Sequence, residues 1–499
     1  MTAHAAGAPG ELGATGEAVE TMIPRRLDRL PWSRWHWIVV LALGITWILD
    51  GFEVTLVGAV AAQWTDKSTL HLTTSQSSLA GVAYLSGAVV GALFFGYLTD
   101  RLGRKVLFMV TLGVYLVFTI CTAFSWDIYS LFAFRVLAGT GIGGEYAAIN
   151  SAIDELIPAR VRGRVALAIN GSWWIGTAFA AAASYPLLNY LGANIGWRVG
   201  FAGGAVLALA IIFLRRGIPE SPRWLMTHGR GEEAERIVGE IEERVRAQKG
   251  DLPEPEGEPL VVEQREHIGF VEIARYVVSN YPKRGVLGLS MMIGQAFLYN
   301  AVFFTYTLVL NKMMGVDEKI AGLYLIPFAA GNVLGVFLLG PLFDTLGRRV
   351  MITFTYVTSG VLLIITGLLF THHVVGPGLM TVCWSCIFFF ASAGASAAYL
   401  TVSELFPMEA RAMAIALFYA IGTGCAIGAP YLFGWLIASG DRSHVFYGYV
   451  LGAVLMIGAG IVAWFLAVNA ERKSLEDVAK PMTVRSGAGR AAAMPARAR

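Results

Sequence analysis

The chain has 499 residues, 56% of them hydrophobic and 15% charged, with a formal net charge of +3 and a mean hydropathy of +0.60. A soluble domain carries about 25% charged residues, so this chain cannot clothe a globular surface with polar groups, and lipid must solvate much of it. The small net charge makes no case for nucleic acid as a partner, and the absence of a nucleophile–base pair or metal-ligand spacing argues against an enzyme, a metal or a cofactor.

In chain order, residues 1–36 form a tail that is first Ala/Gly/Glu-rich and then basic, without the pattern of a cleavable signal. A spanning helix needs about 20 mostly apolar residues. That length predicts twelve spans, at 37–61, 77–99, 105–125, 128–151, 164–190, 197–216, 286–310, 321–343, 350–370, 376–402, 411–437 and 444–469. Residues 217–285 are the only sizeable soluble piece: 231–248 reads as an amphipathic, salt-bridged helix, and the Pro/Glu-rich stretch after it as a linker extending over 250–265. The chain thus divides into a tail at 1–36, six spans at 37–216, a loop with helices at 217–285, six spans at 286–469 and a tail at 470–499.

Lysines and arginines set the orientation. One side carries Arg25, Arg26, Arg29 and Arg34, then Arg101, Arg104 and Lys105, then Arg160, Arg162 and Arg164, and later Arg348, Arg349, Arg411, Arg472 and Lys473. That side is predicted to be cytoplasmic and to hold both termini, as an even number of spans requires. Cys383 and Cys386 have CxxC spacing, but with no second ligand pair they read as small residues of a membrane helix. Gly139-x-Gly141-x-x-Gly144 lies inside a span, so it reads as close helix packing rather than a dinucleotide loop.

The two halves repeat. Gly96-Tyr-Leu-Thr-Asp100-Arg-Leu-Gly103-Arg104-Lys105 follows span two, and Gly340-Pro-Leu-Phe-Asp344-Thr-Leu-Gly347-Arg348-Arg349 follows span eight. Glu155-x-x-Pro158-x-x-x-Arg162 after span four recurs as Glu404-x-x-Pro407-x-x-x-Arg411 after span ten. With these motifs, Pro219-Glu220-Ser221-Pro222-Arg223-Trp224-Leu225 and the Glu471-x-Lys473-Ser-Leu475-Glu476 element, the chain resembles the major facilitator superfamily, and within it the sugar porter family, over most of 37–479. The resemblance implies an all-α membrane protein whose twelve transmembrane helices form two pseudo-symmetric six-helix bundles.

Carboxylates and arginines at helix ends can pair when those ends meet. Asp100, Arg104, Glu155, Arg162 and Glu220 in one half, with Asp344, Arg348, Glu404, Arg411 and Glu471 in the other, are expected to clamp the cytoplasmic side. Sited near water, each pair is worth about 0–1 kcal/mol.

Ionisable residues inside spans are costly and mark function by default. Asp50, Glu53, Arg135 and Glu145 stand out. At about 1.5 Å of rise per residue, Glu53 and Arg135 reach similar depths, about 8–10 Å below the outer edge of the core. Asp50 lies one turn from Glu53 on the same face. The expectation is proton coupling through Glu53 with Arg135 and Asp50. Proton-coupled sugar porters carry an acid at the place of Glu53 and an Arg at the place of Arg135, while Asp50-Gly51-Phe52-Glu53 resembles an element of the aromatic acid/proton symporters. Glu145 is a candidate for the inner gate.

For the substrate, Gln295, Asn300 and Asn332 match amide positions of the sugar porters, and Asn170 stands where that family usually has Gln. Amides both donate and accept, as a hydroxyl-rich ligand requires. Trp173 and Tyr399 offer stacking faces. The expected activity is proton-coupled symport of a small polar metabolite (a sugar, polyol or organic acid) by alternating access, in a bacterial plasma membrane and as a monomer. Its partners are the substrate, protons and the bilayer. A facilitative uniporter or exchanger, an aromatic acid/proton symporter and a receptor on a transporter scaffold stay open as alternatives.

Overall fold

The computed structural model describes residues 18–479 apart from 61–62, 66, 216–217, 258, 264–268, 304 and 408–410. A short strand β1 (Ala18–Thr21) and helix α1 (Ile23–Asp28) precede the first bundle. That bundle contains α2 (Arg34–Val60), α3 (Thr74–Leu102), α4 (Arg104–Ala123), α5 (Ile128–Leu156), α6 (Arg162–Gly171), α7 (Trp173–Tyr190) and α8 (Gly192–Arg215). The connecting segment holds α9 (Pro222–Thr227), α10 (Gly231–Lys249), β2 (Leu260–Glu263) and α11 (Phe270–Asn280). The second bundle contains α12 (Pro282–Phe303), α13 (Tyr306–Met314), α14 (Glu318–Ala321), α15 (Leu325–Thr345), α16 (Arg348–Thr371), α17 (Pro377–Leu405), α18 (Arg411–Ala426), α19 (Ala429–Ala438) and α20 (Arg442–Leu466), with α21 (Leu475–Val478) beyond it.

Twelve spans result, because α6 and α7 form one span, as do α18 and α19, and the short α13 and α14 lie between the spans of α12 and α15. Among the described residues, ten meet the length and hydropathy of a membrane helix. The other two are α8 and α5, the latter carrying Arg135, Glu145, Asp154 and Glu155. Spans five and eleven, equivalent in the two halves, are both broken, at Ser172 and at Gly428. At the first break the Ser172 hydroxyl shares its proton between the carbonyls of Ile169 on α6 (2.7 Å) and Gly44 on α2 (2.9 Å), tying span five to span one.

Local sequence explains where helices start. Thr73 with Gln76 and Asp127 with Ser130 form reciprocal caps that satisfy the first free N–H groups of α3 and α5. The outer surface presents Val90, Phe94, Leu334, Leu338 and Phe465, a coat fit only for lipid. Between α3 and α5 the backbones touch: a methyl on Gly139 would run into the Tyr84 carbonyl. The glycine run of α5 therefore serves close packing.

One sequence expectation is corrected. The stretch assigned to a linker contains Leu-Val-Val-Glu, which forms β2 and pairs antiparallel with β1, Ala18 opposite Glu263. Two consecutive β-branched valines favour an extended strand once a partner is present. The partner comes from the N-terminal tail, so this pairing has no local signal in either segment.

Candidate functional site

Asp50, Glu53 and Arg135 sit together inside the first bundle, all fully buried. Arg135 of α5 pairs with Glu53 of α2. Thr119 of α4 donates its hydroxyl to the other Glu53 oxygen at 2.8 Å. The Arg135 guanidinium also lies 4.2 Å from the centroid of the Tyr84 ring and 5.7 Å from that of Phe201.

Asp50 is held differently. It accepts hydrogen bonds from Tyr84 of α3 (2.7 Å), Tyr146 of α5 (3.0 Å) and Trp173 of α7 (2.7 Å). Gly51 makes the last contact possible, because a methyl there would collide with the Trp173 carbonyl. Among the described residues Asp50 has no cationic partner. Trp173 commits its indole N–H to Asp50 in the plane of the ring, and its ring meets Phe303 edge-on at 5.5 Å. Tyr84, Tyr146 and Thr119 escaped sequence reading, since an aromatic or Thr in a span reads as packing until its hydroxyl is seen to reach an acid.

Tyr146 also touches the second bundle. Its ring stacks on Tyr419 of α18 at 4.5 Å and lies 5.8 Å from Tyr399 of α17, with Trp47 edge-on at 4.3 Å. On the other flank Trp174 of α7 faces Tyr299, Phe303 and Phe328 at 5.4–5.6 Å. The central contact between the bundles is therefore largely aromatic. The amides occupy the same region but direct their N–H groups mostly at their own helices. Asn300 donates to the Ala296 carbonyl, Asn332 to that of Phe328, and Asn170 to the Ala166 carbonyl and Asn150. Asn332 is fully buried and accepts from Tyr299. Gln295 contacts the Met292 sulfur at 3.9 Å and also meets the side chain of Tyr399 at the seam. Glu145 is fully buried on α5, next to Tyr146.

At the basic end the two repeats build matching clusters. Arg104 pairs with Asp100 (3.3 Å) and Glu155 (2.9 Å), and Arg348 with Asp344 (3.0 Å) and Glu404 (3.1 Å). Glu220 accepts the backbone N–H groups of Arg104 and Lys105, capping α4. Cross-bundle bonds then close this end. Asp344 accepts from the N–H groups of Gly163 and Arg164 (3.1 and 2.8 Å), Asp100 accepts from that of Met413 (3.2 Å), and Arg411 approaches Asp154 and Glu155 (both 3.8 Å).

Two expectations about these charges change. They were placed near water, but Arg104, Arg162, Arg348 and Arg411 are only 1–3% exposed. Removing one member of a buried pair strands a charge, at about 3–5 kcal/mol rather than 0–1. Glu471, expected among the pairing groups, lies against Gly347 instead, with its Oε2 unpartnered among the described residues. The pairing near the C-terminus falls to Glu476, which approaches Arg223 at 3.6 Å. Burial alone would raise the Glu476 carboxyl, but Arg223 and the Ser474 hydroxyl hold it below its ordinary value. Asp28, from α1, joins this cluster by meeting Arg162 (3.2 Å) and Arg223 (3.3 Å).

Two repeated six-helix bundles, meeting along an aromatic seam with buried acids beside it, define a solute transporter of the major facilitator superfamily. Residues 37–480 match the family described as Sugar (and other) transporter, and the chain belongs to that family. It is a transporter and not an enzyme. It is 25% identical over 462 residues to the niacin transporter NiaP of Acinetobacter baylyi, covering 91% of this chain and 98% of the relative. To the 4-hydroxybenzoate transporter PcaK of the same organism it is 25% identical, covering 81% of this chain and 85% of that one. Among solved structures it is similar to the proton:xylose symporter XylE from E. coli bound to 6-bromo-6-deoxy-D-glucose. The TM-score is 0.71 and the identity 18%, over 89% of this chain and 98% of that one.

Proposed function

We propose that the protein carries out proton-coupled uptake of a small ring-bearing organic acid across a bacterial inner membrane, by alternating access and as a monomer. The basic end faces the cytoplasm and carries both termini. The observation that supports this reading best is the placement of Asp50, one hydrogen bond away from Tyr146, whose ring forms part of the seam between the bundles. A titratable group and the surface that separates during transport thus share one side chain.

A flat, aromatic ligand suits this seam better than a sugar. Rings favour offset and edge contacts with other rings at centroid distances of about 4.5–7 Å, and Trp47, Tyr146, Tyr399 and Tyr419 offer such faces. A sugar needs free amide donors, and both N–H groups of Asn170 and one each of Asn300 and Asn332 are engaged. Niacin and 4-hydroxybenzoate, named for two relatives, are small aromatic acids. The ion pairs and backbone bonds at the basic end act as the cytoplasmic gate, with Glu145 in an inner-gate role.

The test is uptake by purified protein in proteoliposomes under an imposed inward proton gradient, with radiolabelled nicotinate, 4-hydroxybenzoate and xylose. Concentrative uptake of an aromatic acid that collapses with the gradient is expected. Accumulation of xylose alone would reverse the substrate choice, and equilibration without accumulation would make the protein a uniporter.

A further inference from the structure

We infer that Asp50, rather than Glu53, is the residue that binds and releases the coupled proton, and that Glu53 stays ionised with Arg135 as a fixed pair. The inference rests on the proton-coupled reading above and assigns its chemistry to one atom set.

Charge balance makes the distinction. Glu53 is joined to Arg135 and hydrogen-bonded by Thr119, at a fully buried site. Protonating it would leave the guanidinium without a counter-charge in a low-dielectric interior, at a cost of several kcal/mol. Asp50 is equally buried but has no cation beside it among the described residues. A proton arriving there removes a charge and strands none. With Asp50 ionised, the group of Asp50, Glu53 and Arg135 carries one net negative charge; with Asp50 protonated it is neutral.

The hydrogen bonds accommodate both forms. As a carboxylate, Asp50 accepts from three neutral donors. As a carboxylic acid it must also donate, and two of its partners are phenol hydroxyls, which rotate from donor to acceptor. If the proton lands on Oδ2, Tyr146 accepts it and turns its own O–H away; Trp173, a donor only, stays in place. Tyr146 then presents an altered hydroxyl to the seam, where Tyr399 and Tyr419 stand. Among the described residues, the remaining titratable or charged groups around Asp50 are Glu53 on its own helix, Arg135 of α5, Tyr115 of α4, Tyr399 of α17 and Tyr419 of α18, of which the first two neutralise each other.

Coupling to an anion follows directly. An organic carboxylate approaching an ionised Asp50 meets like charge in a dry site, which is costly. Protonation lifts that repulsion, so the proton must bind before or with the anion. Neither ligand crosses readily alone.

Infrared difference spectroscopy of the purified protein, stepped in pH without substrate, reads the proton directly through the carboxylic acid C=O stretch. A pH-dependent band is expected in the wild type and in Glu53→Gln, and its loss in Asp50→Asn. In Asp50→Glu the band should return at a shifted frequency, which guards against a misfolded Asn variant. A band that survives in Asp50→Asn and vanishes in Glu53→Gln overturns the inference. In proteoliposomes, Asp50→Asn should lose proton-driven accumulation of labelled nicotinate or 4-hydroxybenzoate at least tenfold. Retained accumulation there also overturns it. A band that depends on Asp50 in a wild-type protein that accumulates neither probe would instead count against the proposed function and leave the proton site standing.

Discussion

The guanidinium of Arg135 lies 4.2 Å over the ring of Tyr84, and the hydroxyl of that same tyrosine donates to Asp50 at 2.7 Å. One side chain thus touches the cation of one buried pair and the carboxylate that stands beside it. Replacing Tyr84 by Phe keeps the ring and removes the hydroxyl; replacing it by Leu removes both. A desolvated cation–π contact is worth about 2 kcal/mol. Thermal unfolding in detergent should therefore show Tyr84→Leu clearly less stable than Tyr84→Phe. Equal midpoints would mean that the ring does nothing for Arg135.

Glu53→Gln should destabilise the protein by about 3–5 kcal/mol, because Arg135 loses its counter-charge in a dry site. The double variant Glu53→Gln/Arg135→Gln should recover most of that loss, since no charge is then stranded. A double-mutant cycle measures the coupling directly. Additive single losses would show that the two residues do not act as a pair.

Asp344 ties the bundles together through the backbone N–H groups of Gly163 and Arg164 while holding Arg348. Hydrogen bonds to a charged group contribute about 1.5–3 kcal/mol each. Asp344→Ala should shift the population toward opening at the basic end by about tenfold or more. A reporter Ala416→Cys, buried against Gly96 across the seam, should then react faster with a water-soluble maleimide when the four native cysteines are replaced. Unchanged labelling would remove Asp344 from the gate.

The segment before the first bundle should loosen in acid. Burial alone would raise the Glu242 carboxyl, but the guanidiniums of Arg26 and Arg29 hold it below its ordinary value of 4.5. A carboxylate lowered in this way contributes stability that is present above its unfolded value and lost as pH falls through the folded one. Hydrogen-exchange protection of residues 23–30 should therefore be lower at about pH 3 than at about pH 6, and Glu242→Gln should abolish that difference. Protection that stays pH-dependent in the variant would remove Glu242 from this role.

Much of this was legible in the linear chain. Twelve spans and a repeat of Asp100, Arg104 and Glu155 as Asp344, Arg348 and Glu404 follow from hydropathy and spacing, which need no partner. Helix rise alone put Glu53 and Arg135 at one depth. The partners of Asp50 were hidden, because Tyr84, Tyr146 and Trp173 arrive from three other helices and carry no local sign of a shared target. The motif of Glu471 marked the right segment; Glu471 sits beside Gly347 as Glu220 sits beside Gly103, while Glu476, five residues on, faces Arg223, which no spacing rule announced. Burial of the gate was missed as well, since helix-end charges look solvated until α1, α9 and α21 cover them.

Sequence by itself determined the class of this protein, because the solvent a helix needs is written in its own hydropathy and a duplicated motif is visible without coordinates. Tertiary structure decided which buried acid has a counter-charge and which has only neutral donors. That depends on the rotation and close approach of neighbouring helices, down to the missing side chain of Gly51 that lets Trp173 reach Asp50. Pairing across helices is a property of packing, and packing is set jointly by residues far apart in the chain.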